Sequence, residues 1–291
     1  MSIPSTPGKT GRERLAEVKE LEARQAKQRR MLALVAGVVT IAVLGVAILW
    51  FVSQGNKKKE SESAEQQARN SQFIKTLTTI PAATHDKVGF GAATGVPSAT
   101  DGPQDKVGDK PRVLYVGAEF CPFCAVERWS LVSALSRFGT WDGLAGAVSS
   151  PNEGAMSNIQ TVTFKDATYT SKYIAFKGWE TKDRMGEPLQ TMSDADSTLV
   201  SKYNDRGSIP FVLIGGKSTT QGATWDGRSL PGMTNTEIAE QMADPNSAIS
   251  KGAVGAANVY SAQICTLTGQ QPANVCNSAG VKAAAAKLEV K

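Results

Sequence analysis

The stretch from Arg112 to Trp129, RVLYVGAEFCPFCAVERW, joins a strand pattern to a helix pattern across two cysteines. The run RVLYV follows a proline and holds mainly β-branched, aromatic and aliphatic residues, which predicts a strand over 112–116. After Cys121, Pro122 suits the first turn of a helix, and apolar residues then recur every three or four positions up to Gly139, which is expected to end that helix. The cysteine pair therefore lies at a strand-to-helix junction.

A Cys-Pro-Phe-Cys motif at such a junction favours thiol–disulfide chemistry. A helix N-terminus offers free backbone N–H groups and the positive end of the helix dipole, and both stabilise a thiolate. Cys121 is expected to be the exposed attacking thiol, and Cys124, one turn further on, the thiol that resolves the mixed disulfide. A zinc site would need a second suitable pair of ligands, but ten residues lie between Cys265 and Cys276 and the chain has one histidine. A copper carrier lacks a His or Met close to the motif. No metal and no cofactor are therefore predicted.

The rest of the C-terminal part alternates between strand and helix patterns. Further strands are expected at residues 159–164, 173–177 and 209–214, a helix at 194–203 and a long helix from about Thr234 onward. The Gly-, Pro- and Asp-rich residues 81–111 are expected to be irregular. Alternating strands and helices predict an α/β fold.

Two sequence segments resemble the thioredoxin superfamily. Val113–Cys124 is similar to the superfamily's strand–active-site–helix unit, and Gly207-Ser208-Ile209-Pro210-Phe211 resembles its cis-proline loop. The resemblance implies a thioredoxin-like fold, with a central mixed sheet flanked by helices. It also implies that Pro210 is cis and takes part in the catalytic site beside the cysteines, next to the substrate-facing Ile209.

The resemblance carries further expectations and two departures. Pro122 and Phe123, between the cysteines, are expected to contact substrate. Tyr115 stands where thioredoxin has a buried Asp, and the central dipeptide is Pro-Phe rather than Gly-Pro. Gly117–Trp129 looks most like a family of membrane-anchored thioredoxin-like proteins known as domain of unknown function 929, over about residues 70–280. That resemblance implies a fold and redox activity but no substrate.

Residues 31–52 form an uncharged apolar run that is long enough to cross a bilayer as one helix. A cleaved signal peptide is the alternative, but the run is long for one and QGNKKKE after it lacks a small-x-small cleavage pattern. Residues 11–30 carry seven Lys or Arg against four in residues 53–72, which favours a cytoplasmic N-terminus. The expected order is a basic cytoplasmic segment (1–30), a transmembrane signal anchor in the lipid bilayer (31–52), a polar tether (53–70), a thioredoxin-like domain (71–280) and a tail (281–291).

Charge and the remaining cysteines narrow the partners. The formal net charge is +5, much of it in the first thirty residues, so nucleic-acid binding has little support. Cys265 and Cys276 are expected to form a structural disulfide, which agrees with a compartment outside the cytoplasm. The alternative for them is a relay pair that exchanges electrons with the motif. His85 is expected to be exposed.

These observations predict a single-pass protein of the cell membrane that exchanges thiols and disulfides on exported cysteine-containing proteins. Two alternatives stay open: a binding module whose disulfide is only structural, and an electron relay to one membrane thiol redox partner. Glu119 and Arg128 flank the motif; each is either a group that tunes Cys121 or an ordinary surface charge.

Overall fold

The computed structural model describes Lys27, Met31 and residues 70–288. Its helices are α1 (residues 70–78), α2 (Ala82–Val88), α3 (Pro122–Leu135), α4 (Asp194–Tyr203), α5 (Asn235–Ala243), α6 (Ala248–Leu267), α7 (Ala273–Cys276) and α8 (Ala279–Leu288). Its strands are β1 (Ser98–Ala99), β2 (Lys106–Val107), β3 (Lys110–Gly117), β4 (Gly139–Asp142), β5 (Ala145–Val148), β6 (Gln160–Thr163), β7 (Thr168–Ser171), β8 (Ala175–Glu180), β9 (Phe211–Ile214) and β10 (Ser218–Gln221). Residues 70–288 all belong to one unit, Gln67–Lys291.

β3 is the central strand of the main sheet. It pairs in parallel with β8 and antiparallel with β9, and β9 continues through β10 to β1. β2 forms a short antiparallel pair with the beginning of β3. Parallel neighbours need a long crossover, and α3 lies in the connection between β3 and β8.

Helices cover both faces of this sheet. Val113 and Tyr115 of β3 pack into the core that contains α3 and α6, whereas Leu114 and Val116 pack with α4 on the opposite face. Because successive strand residues point to opposite faces, a strand covered on both sides needs a continuous run of apolar and aromatic residues, which VLYV at 113–116 supplies. The expected central mixed sheet flanked by helices is confirmed.

Two small ribbons lie between α3 and β8. β4 pairs with β7, and β5 pairs with β6, each antiparallel. The sequence-based helix ran to residue 138, but α3 ends at Leu135 and Gly139 begins β4 instead of stopping a helix. A Cβ at Gly139 would overlap the Thr170 carbonyl oxygen, so the close approach of β4 and β7 explains the glycine.

The expectation of irregular structure over 81–111 was wrong in part, because α2 and two short strands form there. The expectation of an exposed His85 was also wrong. His85 is buried, with its Nδ1 3.2 Å from Oδ1 of Asn258 on α6. Burial lowers the pKa of His85 to about 3, so its ring is neutral near pH 7 and serves as a packed core group.

The end of the chain is fastened to α6 by a disulfide. Cys265 and Cys276 are bonded, with their Cα atoms 5.6 Å apart, as expected. The predicted boundary at residue 280 falls inside α8, whose Val281 and Ala284 are buried. The folded region therefore continues through Leu288, because α8 packs on α2 and α6.

Several predicted segments fall on other parts of the chain. The basic segment 1–30, the apolar run 31–52 and the tether 53–70 lie outside the described residues, apart from Lys27, Met31 and Asn70. No helix among the described residues has the length and apolar character that a bilayer crossing requires.

Candidate active site

The two cysteines of the motif lie where β3 passes into α3. Cys121 is the N-cap of α3 and Pro122 is its first residue, a position where proline loses no helical hydrogen bond. The backbone N–H of Cys124 donates to the Cys121 Sγ at 3.1 Å. Both thiols are free. The local sequence thus aims one sulfur at the unpaired N–H groups of a helix end.

The two sulfurs differ in exposure. Cys121 is 5% exposed and Cys124 is fully buried. The expected exposed thiol is therefore largely covered. The loop after β5 lies against the residue that precedes Cys121, since Ser150 donates its N–H to the carbonyl of Phe120 at 2.9 Å. Cys121 is nevertheless the more exposed of the two cysteines.

The same geometry separates the acidities of the two thiols. The hydrogen bond with the Cys124 side chain lowers the pKa of Cys121, and the Cys124 backbone N–H and the Arg128 charge act in the same direction against the effect of burial. Burial raises the pKa of Cys124 well above its usual range. Cys121 is therefore the thiol that ionises more readily, and Cys124 keeps its proton.

A proline loop borders the Cys121 sulfur. The Ile209–Pro210 peptide bond is cis, as expected. The Ile209 carbonyl oxygen lies 4.0 Å from the Cys121 Sγ. Asn204 braces the loop by accepting the N–H of Ser208 at 3.0 Å and donating to its carbonyl at 2.8 Å. The structure thus brings together the cysteine motif and the proline loop, although Cys121 and Ile209 are 88 residues apart in the chain.

A mostly apolar groove of about 500 Å³ lies beside this loop. Its lining includes Phe123, Met156, Ile209, Trp225, Asp226 and Arg228. Phe123 is 53% exposed, although phenylalanine is among the residue types most often fully buried. Pro122 is buried in the helix start and does not line the groove. Of the three residues expected to contact substrate, the structure places Phe123 and Ile209 at one opening.

Glu127 and Arg128, which follow the motif on α3, are both fully buried ionisable residues with different partners. Glu127 is buried and accepts the N–H of Thr224 at 2.7 Å and its hydroxyl at 2.8 Å. Trp225 donates its indole N–H to the Val126 carbonyl at 3.1 Å. Burial raises the pKa of Glu127 to about 7. These contacts fix the Trp225 wall of the groove to the helix that carries the cysteines.

Arg128 contacts the end of β8 and is fully buried, so it is not an ordinary surface charge. It donates two hydrogen bonds to the carboxylate of Glu180 at the end of β8, at 2.8 and 2.6 Å. Helical spacing from Cys121 through Cys124 to Arg128, at steps of three and four, places all three on one helix face. That spacing was a usable sequence signal, whereas nothing local pointed to Glu180.

Glu119 lies next to the motif in sequence but does not line the groove. Its carboxylate accepts the Thr163 hydroxyl at 2.6 Å, and both residues line a second pocket that shares no residue with the groove. Across the described part of the chain, no three His, Cys, Asp or Glu side chains come together as a metal site would require.

The fold and the site define a mixed α/β protein with a largely covered dithiol at a helix N-terminus. The family model described as Domain of unknown function (DUF929) matches residues 103–266. The match covers more than half of the chain, including both motif cysteines and Pro210, and the chain belongs to this family. No curated protein and no solved structure matches it significantly.

Proposed function

We propose that residues 70–288 have a thioredoxin-like fold and that the protein is a membrane-anchored thiol–disulfide oxidoreductase. The order of elements supports the fold: β3, α3 and the parallel β8 are followed by α4, the antiparallel hairpin β9–β10 and the packed helix α6. The cysteine motif follows the central strand, and the cis proline precedes β9.

One observation carries the activity: the Cys121 sulfur caps α3 and accepts the Cys124 N–H at 3.1 Å. An N–H donor and a helix dipole favour the thiolate, which is the reactive form of cysteine. The partner thiol lies one turn away, buried and protonated. A structural disulfide would not need this difference in acidity between its two sulfurs.

The proposed reaction on a substrate disulfide runs in two steps. The Cys121 thiolate attacks one substrate sulfur, so that a mixed disulfide forms and the other substrate sulfur leaves as a thiolate. Cys124 then loses its proton and attacks the Cys121 sulfur. The Cys121–Cys124 disulfide forms, and the second substrate sulfur leaves as a thiolate. The substrate is reduced by two electrons and the motif is oxidised; the reverse sequence oxidises a substrate dithiol.

The proposed substrates are exported cysteine-containing proteins. The low exposure of Cys121 favours an extended segment over a flat folded surface, and the groove beside it favours apolar residues next to the substrate cysteine. Residues 31–52 would hold the domain at the cell membrane, outside the cytoplasm.

A trapping experiment tests this function. Full-length Cys124→Ser protein should accumulate mixed disulfides through Cys121, and Cys121→Ser should accumulate none. Insulin reduction by the unaltered protein should depend on Cys121. Trapping by Cys121→Ser but not by Cys124→Ser would reverse the roles, and the absence of trapping and of insulin reduction would refute the proposal.

The same low exposure gives a second candidate, an electron relay to one dedicated membrane thiol partner. A covered sulfur restricts the range of partners. Negligible insulin reduction together with one trapped membrane protein would favour the relay.

A further inference from the structure

A fully buried cation lies directly behind the cysteine pair. Cys124 and Arg128 are four residues apart on α3, so their side chains are neighbours on one helix face. Arg128 also donates to the Ala118 carbonyl at 2.8 Å, and the same carbonyl accepts the N–H of Cys121 at 3.2 Å. The guanidinium is thereby fixed on the backbone segment that leads into the motif.

Among the described residues, not every N–H donor of Arg128 has a hydrogen-bond partner. Glu180 takes two of its N–H groups, but Nη1 has no partner among the described residues. The hydroxyl of Tyr115 is buried and also lacks a partner there, with the Tyr115 ring centroid 5.9 Å from the Arg128 guanidinium carbon. A buried ionic group with an unused donor costs stability, so its presence at this place calls for a gain elsewhere.

We propose that Arg128 is an electrostatic positioning residue for the resolving step: its buried positive charge stabilises the thiolate that Cys124 must form to attack the mixed disulfide. The inference rests on the proposed function and deepens it. In that step the Cys124 proton leaves to solvent or to the departing thiolate, the bond between the two motif sulfurs forms, and the bond from Cys121 to the substrate sulfur breaks.

The need for such a charge follows from the burial of Cys124. Burial raises the pKa of this thiol, while the Arg128 charge acts to lower the pKa of both Cys121 and Cys124. The other charged or titratable groups that face the cluster are Tyr115 from β3 and Glu180 from β8, with Glu119 acting on Glu180. Glu180 accepts two hydrogen bonds from Arg128. Of these groups, Arg128 is the one that donates to the Ala118 carbonyl, which also accepts the N–H of Cys121.

The test measures resolution directly on full-length protein. Cys121 is loaded with 2-nitro-5-thiobenzoate as a mixed disulfide, and the release of the aryl thiolate by Cys124 is followed against pH. The main variant, Arg128→Met with Glu180→Gln, removes both charges. Each unit by which the Cys124 pKa rises lowers its thiolate fraction about tenfold and increases its nucleophilicity about threefold, so release near pH 7 should slow about threefold per unit. The pH midpoint should move upward.

Two further variants keep the inference testable if the main one does not fold. Glu180→Gln alone leaves the cation uncompensated and should move the midpoint downward, in the opposite direction. Arg128→Lys keeps the charge and should stay close to the unaltered profile. The matched control is Arg112→Met with Asp196→Asn, an ion pair of 2.6 Å on the α4 face, which should leave the profile unchanged.

The outcomes distinguish the role of Arg128 from the proposed oxidoreductase function. Coincident profiles for the unaltered protein, the neutral pair and Glu180→Gln would overturn the role of Arg128, as would an Arg128→Lys shift as large as that of the neutral pair. If the unaltered protein releases no aryl thiolate at any pH, the proposed oxidoreductase function fails instead.

Discussion

Glu127 should make the stability of this protein fall as the pH rises through neutrality. Burial raises its pKa from the ordinary 4.5 to about 7 in the folded protein. Between these two values the folded state binds more protons than the unfolded state, so the free energy of unfolding decreases with increasing pH. The contribution of the protonated carboxyl is complete below the unfolded pKa and is lost as the pH passes through about 7.

The magnitude follows from the shift. A change of one pKa unit corresponds to about 1.4 kcal/mol, so the rise at this fully buried group amounts to about 3 kcal/mol of unfolding free energy between acid and alkaline pH. Glu127→Gln removes the titration and keeps an oxygen that accepts the Thr224 N–H. The free energy of unfolding of the variant, relative to that of the unaltered protein, should therefore increase as the pH rises from 5 to 8.

Urea unfolding at pH 5, 6, 7 and 8, followed by tryptophan fluorescence, measures the difference between the two proteins. Glu153→Gln, which removes an exposed carboxylate, serves as the control and should track the unaltered protein at every pH. A difference between Glu127→Gln and the unaltered protein that stays constant from pH 5 to 8 would refute the reasoning.

Four more outcomes are expected. Replacing Cys265 and Cys276 by Ser should lower the unfolding free energy by about 3 kcal/mol, from the closure entropy of a short loop, as urea unfolding would show; unchanged stability would contradict this. At pH 7, iodoacetamide should alkylate Cys121 much faster than Cys124, by mass spectrometry of peptides, and equal rates would contradict the acidity difference. The reduction potential of the motif in a dithiothreitol titration should lie between about −270 and −120 mV, and a value well below that window would speak against a general oxidoreductase. Protease added to spheroplasts should digest the chain beyond about residue 60, whereas protection of that part would contradict the orientation.

Short sequence signals predicted where α4 and α5 begin. The predicted helix 194–203 matches α4, whose N-cap Ser193 accepts the N–H of Asp196. α5 starts after Thr234, where Thr234 and Glu237 form a capping box, but it ends at Ala243 and α6 begins at Ala248, so the expectation of one long helix was wrong. In both cases the side chains that start the helix lie within three residues of its first turn, so a short window contains the information.

Long-range contacts decided what the sequence did not reveal. His85 is buried because Asn258, far along the chain, meets it in the core, and α2 forms in a segment whose composition suggested loops. Glu180 belongs to the site only because β8 pairs in parallel with β3. The motif and its proline could be predicted because their spacing within each segment is characteristic, whereas the buried partner of Arg128 required the sheet register.

The consecutive residues Glu127 and Arg128 on α3 hold different partners, Thr224 and Glu180, so the spacing of residues along this helix is constrained as strictly as their identity. Each residue advances an α-helix by about 100°. Inserting or deleting one residue between Cys124 and Glu127 would rotate everything downstream, bring a different side chain behind the sulfurs and release Thr224 from its carboxylate. Homologous chains should therefore keep the count of residues from the first cysteine to the arginine constant.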